Sequence, residues 1–248
     1  MKKLIVILLV LIAAGKANSQ EYRVAKNTGR LELHVGRAII EGHSGNDIVF
    51  TSRDSEKERD PRAEGLASIN SLGLKDNTNG LGLNVSVKGE VISVYNLKKN
   101  NSPDIRILVP KGVVVSFEHE GVHGGTAEFK NMENEIEVSA QYNSVELENV
   151  TGPLTIRTIY GHVEATLGAT VKDISIVSVY GYVDLTIPAA TKADLRMETS
   201  YGEILVDPDL NIDFTSQSDG DRVSGKLNGG GVSMDLTCNY GKVYLRKK

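Results

Sequence analysis

Two neighbouring segments decide the fold, LTIRTIYGHVEATL at residues 154–167 and ISIVSVYGYVDLTI at residues 174–187. Three more segments align with them, IEVSAQYNSVEL from Ile136, LRMETSYGEILV from Leu195 and MDLTCNYGKVYL from Met234. Their tyrosines follow one another at intervals of 18, 20, 21 and 39 residues: Tyr142, Tyr160, Tyr180, Tyr201 and Tyr240. A period near twenty residues indicates a stack of supersecondary units. The last interval is close to two periods, so we interpret residues 216–231 as a degenerate unit or a loop.

Each unit, called a coil below, has a strand-like half on either side of its tyrosine. The alternating apolar pairs before the tyrosine are Ile136 and Val138, Leu154 and Ile156, Ile174 and Ile176, Leu195 and Met197, and Met234 and Leu236. Those after it are Val145 and Leu147, Val163 and Leu167, Val183 and Leu185, Ile204 and Val206, and Val243 and Leu245. Alternation puts each set on one face of a strand. We therefore predict an all-β fold, a right-handed β-solenoid similar to a single-stranded β-helix, with coils of roughly 20 residues.

The apolar phase shifts by one residue at each tyrosine, as a bulge or tight corner requires if both strands are to face one core. The residue after the tyrosine is Asn143 in the first coil and a glycine in the others: Gly161, Gly181, Gly202 and Gly241. Glycine and asparagine tolerate positive φ, so we expect that conformation here. Small residues stand two positions before the tyrosines, on the inward face: Ala140, Thr158, Ser178, Thr199 and Cys238.

The tyrosines have two interpretations, a functional aromatic strip, as in a carbohydrate-binding surface, or corner packing. Extending the strand alternation as far as the tyrosine places its ring among the inward residues, where burial stabilises by roughly 1.5–3 kcal/mol. We therefore predict that the tyrosines and glycines together are structural corner residues: Tyr142, Tyr160, Gly161, Tyr180, Gly181, Tyr201, Gly202, Tyr240 and Gly241. Cys238, in the column of small residues, is predicted to be a buried hydrophobe.

The first twenty residues have the pattern of a signal peptide. Lys2 and Lys3 precede an apolar run at residues 4–14, and small residues at positions 17–19 suit a signal peptidase. The run is too short to span a bilayer, and no other stretch is apolar enough, so we predict an exported protein of the periplasm or cell surface without a transmembrane segment. The single cysteine, Cys238, excludes disulfides within the chain.

The remaining chain divides into two predicted parts. Residues 21–84 are expected to form an irregular β cap with a charged loop at residues 52–64, and residues 85–248 form the solenoid. The stretch from Gly80 predicts two strands joined in a hairpin at Lys88-Gly89. The basic C-terminus, Arg246, Lys247 and Lys248, is expected to blunt an exposed strand edge.

The Tyr-Gly coils resemble the bacterial putative-adhesin family of domains of unknown function. The resemblance lies in Thr158-Ile159-Tyr160-Gly161-His162-Val163, Ser178-Val179-Tyr180-Gly181-Tyr182-Val183 and Thr199-Ser200-Tyr201-Gly202-Glu203-Ile204, and in the segment Ile107-Leu108-Val109-Pro110-Lys111-Gly112. It covers about residues 85–248 and implies a glycine-rich single-chain β-solenoid. It supplies no catalytic residues.

Three surface features are candidates for chemistry or binding. The segment 118–123, EHEGVH, holds two histidines that would share a strand face while its glutamates point away, so we predict an exposed loop and not a metal site. An acidic column, Glu146, Glu164 and Asp184, could bind Ca²⁺ or form a hydrated face. An apolar patch, Ile159, Val177 and Val179, could contact a partner or be covered by residues 207–230.

We predict a non-catalytic structural or adhesive module of the cell envelope without a cofactor. Its expected partner is an envelope protein or a surface polysaccharide, and the net charge of −4 argues against nucleic acid. Two alternatives stay open, a carbohydrate-active β-helix enzyme and a periplasmic partner in envelope signalling or assembly. The sequence indicates no oligomeric state.

Overall fold

A computed structural model describes residues 20–53, 62, 66, 69–98, 102–217 and 222–248. The described residues form β-strands and contain no α-helix, which confirms the all-β prediction. The strands are β1 (Glu21–Val24), β2 (Thr28–His34), β3 (Ala38–His43), β4 (Ile48–Ser52), β5 (Leu83–Lys88), β6 (Val91–Asn96), β7 (Ile105–Pro110), β8 (Gly112–His119), β9 (Thr126–Lys130), β10 (Ile136–Ala140), β11 (Ser144–Val150), β12 (Leu154–Thr158), β13 (Val163–Leu167), β14 (Ile174–Ser178), β15 (Val183–Ile187), β16 (Ala193–Thr199), β17 (Ile204–Val206), β18 (Ile212–Gln217), β19 (Arg222–Leu227), β20 (Val232–Cys238) and β21 (Val243–Lys247). Within these ranges, no helix is long and apolar enough to cross a bilayer.

The strands build two sheets that enclose one core. The ten-stranded sheet has the order β1-β4-β7-β3-β9-β11-β13-β15-β21-β17, and the eleven-stranded sheet has the order β18-β19-β16-β20-β14-β12-β10-β8-β2-β6-β5. Each coil contributes one strand to each sheet, and equivalent strands pair in parallel, so that Leu154 lies beside Ile174 and Val163 beside Val183. The alternating apolar residues of both halves are buried as ladders between the sheets, except in β17, whose Ile204 and Val206 are only half-buried.

The coils do not stack in chain order. The last coil, β20 and β21, lies between the coil β14 and β15 and the coil β16 and β17. The 39-residue interval before it is occupied by strands β18 and β19, which form an antiparallel hairpin that extends the eleven-stranded sheet beyond β16. The interpretation of residues 216–231 as a loop or degenerate coil is therefore wrong for residues 222–227, which form the regular antiparallel strand β19. The basic C-terminus is not in the edge strand, which is β17. This strand pairs with β21 over Val243–Leu245, whereas Arg246 and Lys247 pair with β15 alone.

The N-terminal part of the chain also contains a coil that is inserted out of chain order. Strands β2 and β3 lie between the coil β6 and β7 and the coil β8 and β9, with parallel pairing on both sides. Residues before position 85 thus contribute a regular coil, which differs from the expectation of a cap alone. Antiparallel strands β1, β4 and β5 close this end of the stack. The predicted hairpin is confirmed, with β5 and β6 joined through Gly89 at a φ of 61°. Residues 1–19 of the predicted signal peptide and most of the loop at residues 52–64 lie outside the described residues.

Candidate functional site: an exposed tyrosine ladder

The corner glycines have little room because neighbouring coils approach closely there. A Cβ atom added to Gly161 would lie 1.8 Å from the carbonyl oxygen of Asn143, and one added to Gly181 would lie 2.2 Å from that of Gly161. The same holds further along the column. A Cβ atom added to Gly241 would lie 1.9 Å from the oxygen of Gly181, and one added to Gly202 would lie 1.7 Å from the oxygen of Gly241. None of these residues has positive φ. The expectation of positive φ is therefore wrong, and glycine is required because a backbone carbonyl occupies the position of a side chain.

The small residues before the corner hold that carbonyl. Hydroxyl or thiol donors bond the corner oxygen of the adjacent coil at 2.9–3.3 Å: Thr158 to Asn143, Ser178 to Gly161, Cys238 to Gly181 and Thr199 to Gly241. Thr158 Oγ1 also accepts a hydrogen bond from the amide of Gly161. All four donors are buried, and burial raises the pKa of the Cys238 thiol. These bonds satisfy backbone groups that the turn leaves without a strand partner.

The five corner tyrosines form one continuous column of stacked rings, which we call the tyrosine ladder. Its order follows the spatial order of the coils: Tyr142, Tyr160, Tyr180, Tyr240 and Tyr201. Successive ring centroids are 4.8, 5.1, 4.9 and 5.1 Å apart, and neighbouring planes differ by 17° or less. The spacing equals that of hydrogen-bonded strands, since each ring is carried by one coil.

The rings lie on the outside of the corner, so the prediction of inward packing is wrong. Their exposed fractions are 39% for Tyr142, 54% for Tyr160, 52% for Tyr180, 51% for Tyr240 and 74% for Tyr201. The rings point outward because each strand ends at the small residue, as β12 does at Thr158. The alternation of inward and outward side chains therefore stops before the tyrosine. Beyond that point the tyrosine amides bond to the adjacent coil, for example Tyr160 N to Gln141 O at 2.7 Å, and the ring turns outward.

The ladder presents phenolic hydroxyl groups among mostly uncharged neighbours. Within the described chain, its five hydroxyls make no hydrogen bond to another residue. The residues immediately before the tyrosines carry no charge either: Gln141, Ile159, Val179, Asn239 and Ser200. Of the predicted apolar patch, Ile159, Val177 and Val179 are each half-buried. From the predicted covering segment, residues 207–230, β19 pairs edge to edge with β16 and β18 pairs with β19, so both strands extend the eleven-stranded sheet.

A shorter aromatic stack lies on the other side of the corner. The rings of His162 and Tyr182 are parallel at 4.6 Å, and Tyr244 meets Tyr182 edge-on at 6.3 Å. The Tyr182 hydroxyl donates to Glu164, and this hydrogen bond, with burial and the carboxylate charge, raises the pKa of Tyr182 to about 12. His162 Nδ1 lies 3.0 Å from the hydroxyl of Ser144.

The three residues of the acidic column are aligned on adjacent strands, and part of their negative charge is compensated. Glu146 pairs with Glu164 and Glu164 with Asp184 along the ten-stranded sheet. Arg246 binds both oxygens of Asp184, at 2.7 and 2.9 Å. No group of three His, Cys, Asp or Glu side chains suited to a metal ion occurs in the described ranges. With Tyr182 on Glu164, two of the three carboxylates already have a partner.

The histidines and glutamates of segment 118–123 do not converge. His119 ends β8, and its Nδ1 lies 2.7 Å from Oδ1 of Asn143. Glu118 lies 3.7 Å from His34 on the outer face of the eleven-stranded sheet. Sequence reasoning identified Asn143 only by its place in the glycine column. Its buried side chain also donates to the carbonyls of Gly36 and Gly125 and so joins three coils.

Comparison with known proteins identifies the stacked coils. Residues 125–246 match the family model described as Toastrack DUF4097, which confirms the resemblance stated from the Tyr-Gly coils. A solved structure of a putative cell adhesion protein from Clostridium sporogenes ATCC 15579 is similar at 14% sequence identity, covering 93% of this chain and 100% of that chain with a TM-score of 0.48. No curated protein matches the sequence.

Proposed function

We propose that the protein is an exported, non-catalytic binding module of the cell envelope. Residues 125–246 match the family model described as Toastrack DUF4097, a domain of unknown function. The protein's contact surface is the tyrosine ladder, bordered by Ile159, Val177 and Val179. The partner is a surface polysaccharide or an envelope protein. Export is supported by the basic, apolar and small-residue pattern of residues 2–19.

The observation that carries the proposal is the outward stacking of the five rings. Large exposed aromatic clusters mark interaction sites, and tyrosine offers contact area with few rotatable bonds to immobilise. Stacking on both sides fixes a ring before any ligand arrives, which lowers the entropic cost of binding. The core does not need these rings, since the aliphatic ladders fill the space between the sheets.

A catalytic role is less well supported by the same residues. Glycoside cleavage needs two carboxyl groups, one to donate a proton and one to act as base or nucleophile. Asp184 is held by the guanidinium of Arg246, and Glu164 accepts from Tyr182. These contacts engage both carboxylates in bonds to neighbouring side chains of the same sheet.

We also propose that the chain winds as a right-handed β-solenoid with coils of about twenty residues. It is supported by the strong preference of parallel crossovers for right-handed connections. Residues aligned between adjacent coils are 18 positions apart for Ile136 and Leu154 and 20 apart for Leu154 and Ile174.

Retention of the purified protein on a native envelope fraction tests the function. The double variant Tyr160→Ser/Tyr180→Ser should lower the apparent affinity by about tenfold or more, because central aromatic side chains dominate such contacts. Tyr95→Ser is the matched control, since Tyr95 stacks on His34 at 4.5 Å in β6, which is separated from the first strand of the ladder coils, β10, by β2 and β8. Undiminished retention of a folded double variant would remove the ladder from the function.

A further inference from the structure

We infer that the tyrosine ladder binds an uncharged, extended polysaccharide of β-linked pyranose units, which lies along the stack with one sugar unit per ring. This inference rests on the proposed function and specifies its ligand. Three properties of the ladder support it: its repeat distance, its exposed atoms and its lack of charge.

The repeat distance selects the kind of polymer. Ring centroids recur every 4.8–5.1 Å over five rings, so a ligand with that repeat meets an equivalent contact on each coil. One pyranose unit in an extended β-1,4-linked chain has a similar length. An extended polypeptide presents the side chains of one face at intervals of about 6.7 Å, and therefore loses register with the rings after a few residues.

The exposed atoms select hydroxyl-rich ligands. Stacking covers the faces of the inner rings, so their accessible parts are the ring edges and the phenolic hydroxyls. Each hydroxyl both donates and accepts a hydrogen bond, as do the hydroxyls of a sugar. Tyr201 ends the column with 74% exposure, and no other ring among the described residues stacks on its outer face, which could therefore contact a terminal sugar. Ile159 and Val179, both half-buried, add apolar contact for sugar C–H groups.

The low density of charge along this strip selects a neutral polymer. The residues immediately before the tyrosines are uncharged, as given above. The residues two positions after Tyr201 and Tyr240, Glu203 and Lys242, form an ion pair at 2.6 Å and so offset each other. Among the described residues, an anionic polymer or lipid headgroup would meet a single exposed cation beside the bordering patch, Arg157 next to Val177, so binding should depend only weakly on salt.

Calorimetric titration with defined oligosaccharides tests the inference. The probes are β-1,4-linked glucose and N-acetylglucosamine oligomers from dimer to hexamer, compared with α-linked maltohexaose and with polygalacturonate. Affinity should rise with each added β-linked unit up to the pentamer and then level off, because the ladder has five rings. Tyr160→Phe keeps the stack and removes one hydroxyl, so it should weaken pentamer binding by about fivefold. Tyr95→Phe is the matched control and should leave it unchanged.

The outcomes separate this inference from the proposed function. Ladder-dependent retention on the envelope without binding to any neutral β-linked oligomer would overturn the glycan assignment and leave the binding module intact. Preference for polygalacturonate with strong salt dependence would also overturn it. A concentration-dependent dimer that Tyr160→Ser abolishes would show instead that a second copy of the chain occupies the ladder.

Discussion

Replacement of Gly161 by alanine tests the physical reason for the corner glycines. The added Cβ would lie 1.8 Å from the oxygen of Asn143 and 2.8 Å from Oγ1 of Thr158. Cβ atoms essentially never lie closer than 3.0 Å to a non-bonded atom, so the backbone of one coil must move by about 1.2 Å. That movement also stretches the 3.0 Å hydrogen bond from Thr158 to Asn143.

The expected magnitude follows from these two effects. Overpacking of a tight site costs about 1–3 kcal/mol. Weakening of the buried hydrogen bond adds about 1 kcal/mol. We therefore expect the free energy of unfolding to fall by about 3 kcal/mol and the melting temperature by about 10 °C.

Urea denaturation followed by circular dichroism measures the change, and asparagine separates the two explanations for glycine. Asparagine tolerates positive φ but carries a Cβ. Gly161→Asn should therefore be as destabilising as Gly161→Ala. Gly89→Asn should cost about 1 kcal/mol or less, because Gly89 has a φ of 61° with no atom within 4 Å of an added Cβ. Wild-type-like stability of Gly161→Asn would refute the steric reasoning and restore positive φ as the cause.

Two further predictions concern polar contacts. Asn143→Ala removes three hydrogen bonds of a buried side chain, including that to His119, and should lower the free energy of unfolding by about 3 kcal/mol in the same denaturation assay. A change near zero would mean that water replaces the amide. In an ultraviolet pH titration, Glu164→Gln should return the pKa of Tyr182 from about 12 towards its ordinary 10.0. The stabilisation linked to the raised pKa is present below pH 10.0 and is lost as the pH rises towards about 12, so the variant should lose less stability over that window; an unchanged titration would contradict the assigned hydrogen bond.

Strand-level features of the fold follow from the sequence because they depend on local alternation. The inward positions of β12 and β14 are buried as the period of two predicts, and the small residues Thr158 and Ser178 lie on the same face. The hairpin at Gly89 follows from turn chemistry alone. Each of these features is decided within a few residues of chain.

The corner could not be predicted by the same means, because its geometry depends on the neighbouring coil. The orientation of Tyr160 is decided by a backbone bond to Gln141, and the requirement for Gly161 by the carbonyl of Asn143. Both partners are almost one full coil away in sequence. The repeated Tyr-Gly pair thus signals the position of the ladder correctly, while its direction comes from contacts between coils.

The order of the coils has a direct consequence for the ladder. Chain order would place Tyr201 next to Tyr180 and leave Tyr240 beyond the hairpin of β18 and β19. Insertion of β20 and β21 instead puts Tyr240 between them, at 4.9 Å from Tyr180 and 5.1 Å from Tyr201. The C-terminal coil therefore completes the aromatic column as well as the core, and its Cys238 bonds the carbonyl of Gly181 as threonine and serine do elsewhere. A surface with an even repeat over five rings therefore requires β20 and β21 to lie inside the stack.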